Sequence, residues 1–565
     1  MDGKGKRFLA AAQPHSTASQ SKVISVIRLL ILFCSAIALI ATGCARKESY
    51  SSRPEANVSK ALLPAKGRPN IVIILADDLG VGNIQAHFPE NKIATPYLDR
   101  FSGESMRFTN AHSGSAVCTP TRYGLLTGRY AWRTRLQEWV LGCYEPPLIA
   151  ADRLTLPGFL SENGYATACI GKWHLGWNWQ GPQPNAMDER ANIHRTKQWD
   201  YTKPVLNGPT TRGFDYYFGT DLPNMPPFTF IENDRVVEQP TSKFVYVPND
   251  GRSLPSQFDG NPMAPDWKFD QILPDITQRA VDYIHDQATQ EEPFFLYFPM
   301  TSPHTPIVPT TRFKGKSGIS LVADFVMETG WSAGQVIQAL EEAGIAEDTL
   351  VIFTSDNGHL PTEWNELVGA GHFPSGPYRG RKADIWEGGH RVPFMIRWPG
   401  RIKAGAVSDD ILSLNDIFAT CSELLGVKLP PDAGEDSISF LTTALGESDQ
   451  PHRDHVVSHS VGGEFAYMEG PWKVVFRNEI TNRNQSRGKP RIVELYNLQS
   501  DIDESDNRYE AEPEIAERLS QNLRKVIARG TSREGPDQSN DAEVVLDVTQ
   551  MLRWAPSLEK SELSR

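Results

Sequence analysis

The chain has 565 residues, more than one hydrophobic core organises, so a large domain and a smaller one are expected. Hydrophobic residues make up 39% and aromatics 10%, which excludes a disordered chain. The formal net charge of -12 excludes a nucleic-acid binder as a whole, though not a local basic pocket.

The N-terminus reads as an export segment. Lys4, Lys6, Arg7, Lys22 and Arg28 precede the apolar run LLILFCSAIALIATGC. That run is short for a membrane span and ends in small residues. Ala41-Thr42-Gly43-Cys44 has the form of a bacterial lipobox, with Cys44 as the lipidated first residue. The alternative is a plain secretory signal cleaved nearby. Both predict export, to the periplasm or cell surface on a lipid anchor, or as a secreted protein. Residues 1–44 are then the signal and 45–66 a polar tether.

The six cysteines do not form a disulfide framework. Cys34 and Cys44 belong to the signal, and Cys118 sits in a motif of its own. Cys143 and Cys169 are either bridged or, like Cys421, buried thiols.

Five apolar runs have strand length and lack alternation, as buried parallel strands do. They are NIVIILA (70–76), YATACI (165–170), PFFLYFPM (293–300), DTLVIFT (348–354) and VPFMIRW (392–398). Helical spacing recurs between them. Ile276, Ala280, Val281 and Ile284 share one face over 276–288, and Val336, Ile337 and Leu340 another over 333–343. The alternation predicts an α/β fold, a large central and mostly parallel sheet flanked by helices.

The ends of the strands bear the chemistry. Asp77 and Asp78 follow the first, Lys172 and His174 the second, His304 the third, Asp356 and Asn357 the fourth. Open α/β sheets bind ligands at the carboxyl ends of their strands. Each residue alone has an ordinary reading: Asp-Asp is commonly a turn, and a lone Lys is commonly solvated. Their coincidence at one edge points to a site. Asp77, Asp78, Asp356 and Asn357 offer only hard oxygens, which suit Ca²⁺ first and Mg²⁺ second rather than Zn²⁺. Arg122, Lys172, His174 and Lys382 supply donors for an anion.

Cys118 precedes Thr119-Pro120-Thr121-Arg122. Pro120 suits a helix first turn, which sets Cys118 at a helix N-terminus, where a thiol pKa can fall. Yet a soft thiolate is a poor partner for an oxygen-bound cation. The position asks for a different group.

Cys118-Thr119-Pro120-Thr121-Arg122 followed by LLTGR (125–129) resembles the signature of the type I sulfatases, in the alkaline-phosphatase-like superfamily. ADDLG, GKWHLG, SPHTP, SDNG and WEGG…RVPF are similar to the family's other blocks, in the family's order. The resemblance implies that a formylglycine-generating enzyme oxidises Cys118 to formylglycine, with Pro120 and Arg122 helping recognition. Hydrated formylglycine is a geminal diol: one oxygen attacks sulfur, and the other releases sulfate by collapse to the aldehyde.

The same resemblance implies the roles. Asp77, Asp78, Asp356, Asn357 and modified Cys118 would hold the cation. Arg122 and Lys172 would orient residue 118 and offset charge. His174 would be the base for sulfate release. His304 and Lys382 would contact the sulfate and assist the leaving oxygen, with Arg381 the alternative to Lys382. His112, His372 and His390 receive no role.

Residues 67–425 are thus read as the catalytic domain. Within it, the irregular stretches 177–270 and 365–380 are candidate substrate subsites. FAYMEGPWKVVFRN and RIVELYNLQSDIDESDN read as antiparallel strands and 511–529 as an amphipathic helix, making 426–534 a smaller C-terminal domain. Residues 535–565 read as a loosely held polar tail. The expected function is hydrolysis of sulfate esters, of a sulfated carbohydrate or an aryl sulfate. Alternatives are a phosphatase or phosphodiesterase of the same superfamily, or a non-catalytic lipoprotein that binds sulfated glycans.

Overall fold

A computed structural model of the chain describes residues 67–181, 199–248, 251, 253–448, 450–478 and 491–546. The signal with Cys34 and Cys44, the tether, and the end of the polar tail lie outside the described residues.

A ten-stranded sheet organises the catalytic part. In chain order its strands are β1 (Asn70–Asp77), β2 (Met106–Phe108), β3 (Ala166–Lys172), β4 (Tyr216–Thr220), β5 (Ile231–Glu232), β6 (Arg235–Val236), β7 (Phe294–Pro303), β8 (Thr349–Ser355), β9 (Phe394–Arg397) and β10 (Val407–Ser408). Their order across the sheet is β10-β2-β9-β8-β1-β7-β3-β4-β5-β6. The central strands β8, β1, β7, β3 and β4 are parallel, with Ile71 opposite both Phe295 and Leu350.

The run of β-branched residues in β1 is buried on both faces. Ile71, Ile73 and Leu75 enter one core with Tyr123, Leu125 and Leu126 of α1 (Cys118–Thr127). Val72, Ile74 and Ala76 enter the other, with Ile276, Ala280 and Ile284 of α2 (Ile272–Gln287) and Val336 and Leu340 of α3 (Leu321–Glu342). Each such aliphatic side chain taken fully from water contributes about 1.5–3 kcal/mol. The α3 helix begins well before the expected 333, because Ser320 caps it by accepting from Ala323 N at 3.2 Å.

One expected strand runs the other way. VPFMIRW supplies β9, which is antiparallel to β8. The chain between them, including Lys382, stays at the carboxyl edge of the sheet, so the next strand must enter from that edge. A parallel strand would need a crossover back to the far edge.

A second sheet of four antiparallel strands follows: β11 (His455–His459), β12 (Phe465–Glu469), β13 (Trp472–Asn478) and β14 (Arg491–Asn497). Helix α4 (Pro513–Arg529) covers it, burying Ala516, Leu519, Leu523 and Val526 against Val457, Tyr467, Val474 and Leu495. Tyr130 and Trp132, just after α1, share this core. The polar tail begins bound rather than loose. Asp541 pairs with buried Arg129 at 2.9 Å, its N–H reaches the Arg133 carbonyl at 2.8 Å, and Leu546 is buried. Cys143, Cys169 and Cys421 are free, buried thiols, so no bridge joins Cys143 to Cys169.

Candidate active site

Parallel pairing brings the strand ends together. β1 ends on Asp77, β3 on Lys172, β7 just before His304, and β8 just before Asp356 and Asn357. Gly171 makes the approach possible. Its φ is 135°, and a Cβ there would lie 2.0 Å from the Pro299 carbonyl oxygen of β7.

Cys118 is the first residue of α1 and is 2% exposed. Its Sγ lies 3.4 Å from Asp77 Oδ1 and 4.0 Å from Asp78 Oδ1. Lys382 Nζ approaches Asp78 Oδ2 at 2.8 Å and Cys118 Sγ at 3.6 Å. Lys172 Nζ donates to Asp77 Oδ2 at 2.7 Å. Arg122 donates through Nε and Nη2 to Asp356 Oδ2 at 3.1 and 2.8 Å. Asn357 Nδ2 donates to Asp78 Oδ1 at 2.8 Å. These contacts bring Asp77, Asp78, Cys118, Arg122, Lys172, Asp356, Asn357 and Lys382 together, while Arg381 turns away. Its guanidinium lies over the Trp364 ring, 5.1 Å from the centroid, so Lys382 is the lysine that reaches the centre.

The electrostatics follow from burial. Burial pushes the Cys118 thiol far up, Asp356 adds to the shift, and Lys172 and Lys382 only partly oppose it. The helix N-terminus does not offset this burial, which disfavours the thiolate. Burial also works against an ionised Asp77, but Lys172, His304, Arg122 and Lys382 together hold it well below the usual carboxylate range. Asp356 moves oppositely: burial and the Asp77 charge push it up to about 7 against the pull of Arg122.

The residues fit a hard cation. Asp77, Asp78, Cys118 and His304 each bring a ligand atom within 4.8 Å of the others. Asp356 and Asn357 adjoin them, and Asn357 Oδ1 is a buried acceptor to which nothing among the described residues donates. Carboxylates pressed this close repel unless positive charge lies between them.

The two histidines differ. His304 Nδ1 lies 2.7 Å from the Thr305 carbonyl, which can only accept, so the proton is on Nδ1 and Nε2 is open in the neutral ring. Nε2 is 3.8 Å from Asp78 Oδ2. Burial, then Lys382, lowers the His304 pKa to about 4. His174 Nε2 donates to the Leu141 carbonyl at 2.9 Å, which leaves Nδ1 buried with its lone pair and no partner among the described residues. Burial, then Lys172 and Arg122, keeps His174 neutral.

Some contributors lie outside the motifs. Asp221 Oδ1 accepts from His174 N at 3.1 Å, supporting a residue held at φ 54°. A signal for Asp221 was present, since it follows β4 at the same edge. The Leu141 carbonyl has no residue-type signature. His112 and His390 form a buried group with Glu387, but Lys473 Nζ donates to Glu387 at 2.9 Å, so charge there is balanced internally. The segment 365–380 leads directly into Lys382, while 182–198 of the other proposed subsite lies outside the described residues.

The family model for sulfatases matches residues 69–427, which span the whole constellation. The chain belongs to the sulfatase family. It is 32% identical to an N-acetylgalactosamine-6-O-sulfatase of Bacteroides thetaiotaomicron over 89% of this chain and 100% of that protein. It is 30% identical to arylsulfatase G of Rattus norvegicus over 85% and 90%. Among solved structures, a 6S-sulfatase from work on the metabolism of multiple glycosaminoglycans by Bacteroides thetaiotaomicron superposes with TM-score 0.71 at 31% identity, covering 81% of this chain and 99% of that one. The sulfatase sheet and the smaller C-terminal sheet are thus the family's architecture, and the protein is a sulfuric ester hydrolase.

Proposed function

We propose that this sulfatase is exported and removes sulfate from sulfated carbohydrates, using a formylglycine made from Cys118 and a bound divalent cation. The observation that carries this reading is the convergence of Asp77, Asp78, Asp356 and Asn357 on a buried, protonated Cys118 flanked by Lys172 and Lys382. The N-acetylgalactosamine-6-O-sulfatase relative supports a sulfated amino sugar as substrate. The basic and apolar N-terminus with Cys44 supports export on a lipid anchor.

Asp77, Asp78, Asp356 and Asn357 would hold the cation, with residue 118 beside them. Ca²⁺ suits this all-oxygen set, and Mg²⁺ is the second choice. When present, the modified residue supplies a diol oxygen as nucleophile and the cation supplies the charge that draws the ester in. The chain's own groups do the rest. Arg122 and Lys172 fix Asp356 and Asp77 and offset their charge. Lys382, held strongly charged by Asp78, binds the ester's anionic oxygens. His304 Nε2 delivers a proton to the leaving oxygen, because an ester anion beside it raises its pKa toward the working range. His174 Nδ1 accepts the proton that leaves residue 118 during sulfate release.

The test is sulfate release by the full-length protein, co-expressed with a formylglycine-generating enzyme, from a panel of sulfated glycans and aryl sulfates. Turnover of N-acetylgalactosamine 6-sulfate and of an aryl sulfate is expected. Failure to hydrolyse any sulfate ester, with residue 118 fully converted, would overturn the reading.

A further inference from the structure

We propose that the ring of Trp139 is the stacking face for the pyranose that bears the sulfate, an inference that rests on the sulfated-carbohydrate reading above. Trp139 belongs to none of the family blocks. It lies in the connection after α1, in a three-residue stretch that touches the site at several points. The half-buried indole packs on Val117, Ala383 and Val461. Val117 immediately precedes Cys118, and Ala383 immediately follows Lys382. Two residues on, Leu141 N donates to Thr119 Oγ1 at 3.2 Å, while its carbonyl accepts from His174 Nε2 at 2.9 Å. The stretch therefore ties the first turn of the helix that begins with Cys118 to His174.

The backbone is strained to do this. Trp139 has φ 65°, a left-handed conformation that costs a bulky residue of order 1–3 kcal/mol. Ala383, its neighbour in the cluster, has φ 82°. Asp78 and His174 are left-handed too, at φ 70° and 54°. Strain of this kind persists only where surroundings enforce it, and here it gathers around one centre. The bond from Trp139 N to the Val461 carbonyl, 2.8 Å, holds the turn in shape. Glycine would suit that φ without strain.

The chemistry of the partner follows. Val117 adjoins residue 118 and Ala383 adjoins Lys382, so the indole that packs on both is the aromatic group we assign to the remainder of an ester held at residue 118 and Lys382. An aromatic face is electronegative and attracts a flat, apolar C–H surface. A galactose-type pyranose presents such a surface on one side and hydroxyls on the other.

The test uses the matured, cation-loaded full-length enzyme hydrolysing 4-methylumbelliferyl sulfate. Two competitive inhibitors are compared: N-acetylgalactosamine, which has the ring without the sulfate, and inorganic sulfate, which has no ring. In Trp139→Gly the N-acetylgalactosamine inhibition constant should rise about tenfold while that of sulfate stays put. Trp139→Tyr keeps an aromatic face and should restore most of the sugar affinity, which also guards against a folding defect in the glycine variant. A sugar constant that does not move, or that moves together with the sulfate constant in both variants, would overturn the proposal. A wild-type enzyme that turns over the aryl sulfate but ignores the sugar also overturns it, and leaves the sulfatase reading intact.

Discussion

Lys382 Nζ stands 2.8 Å from Asp78 Oδ2, joining residues 304 positions apart in the chain. The lysine stays charged because its partner does, and it extends over Cys118 at the same time. Arg381, one residue earlier, is spent on Trp364 instead.

Lys382→Ala is therefore expected to raise the inhibition constant of inorganic sulfate by about tenfold or more, since charge-assisted contacts are the strong ones. Arg381→Ala should change it less than about threefold. Equal effects of the two substitutions would show that Lys382 does not hold the anion.

Activity should track modification of Cys118. Peptide mass spectrometry of active protein is expected to find an aldehyde in place of the thiol. Protein made without a formylglycine-generating enzyme should retain the thiol and be inactive. Cys118→Ala should lose at least about a thousandfold in kcat. Full activity with an unmodified thiol would sink the mechanism.

Removal of the cation separates two classes of ligand. Asn357→Ala leaves Arg122 paired, and should weaken calcium binding and activity about 10–100-fold with a normal melting temperature. Asp356→Ala should also destabilise the fold, because it leaves the buried Arg122 only the more distant Asp77, at 3.6 Å. Calcium titration after chelation reads the first effect and thermal melting the second. Stoichiometric zinc with no response to calcium would count against the all-oxygen site.

The two histidines should fail differently. His304→Ala should slow sugar sulfates more than sulfates of acidic phenols, because a proton matters least to an oxygen that leaves easily. His174→Ala should give a burst of released alcohol near about one per active site, then slow turnover. If neither a burst nor a leaving-group dependence appears, the proton roles assigned to them are wrong.

Stability should depend on pH through Asp221. Burial pushes its carboxyl up to about 7, against an unfolded value near about 3.9. Between these values the folded protein binds the extra proton, so this contribution to stability is present at low pH and is lost as pH rises through about 7. Asp221→Asn keeps an acceptor for His174 N but has no charge to bury. It should exceed wild type by on the order of 1–3 kcal/mol at pH 8 and by little at pH 4. An equal difference at both pH values would rule this out.

Much of the site was legible because its residues follow apolar runs that read as strands. Asp77, Lys172, His304 and Asp356 announced themselves by position, and parallel pairing did the assembly. The direction of β9 was not legible, because an apolar run of that length says nothing about where the chain enters the sheet. The support of His174 was half legible: Asp221 follows β4, but the Leu141 carbonyl is backbone and carries no residue signal. Nor could the polarity of the tail foretell that Asp541 answers a buried arginine in LLTGR. A charged residue in a polar stretch looks solvated until its partner is known.

That last pairing also sets an order of events. Arg129, directly beyond the helix that begins with Cys118, is completed only by residues made more than four hundred positions later. Its other carboxylate partner, the buried Glu435, is also made about three hundred positions later. Once the motif closes, the thiol is sealed from any other protein. If a maturing enzyme must reach the Cys118 thiol, as proposed above, burial favours its acting before this part of the chain has packed. A variant that folds faster without its C-terminal partner could be stable, soluble and permanently unconverted.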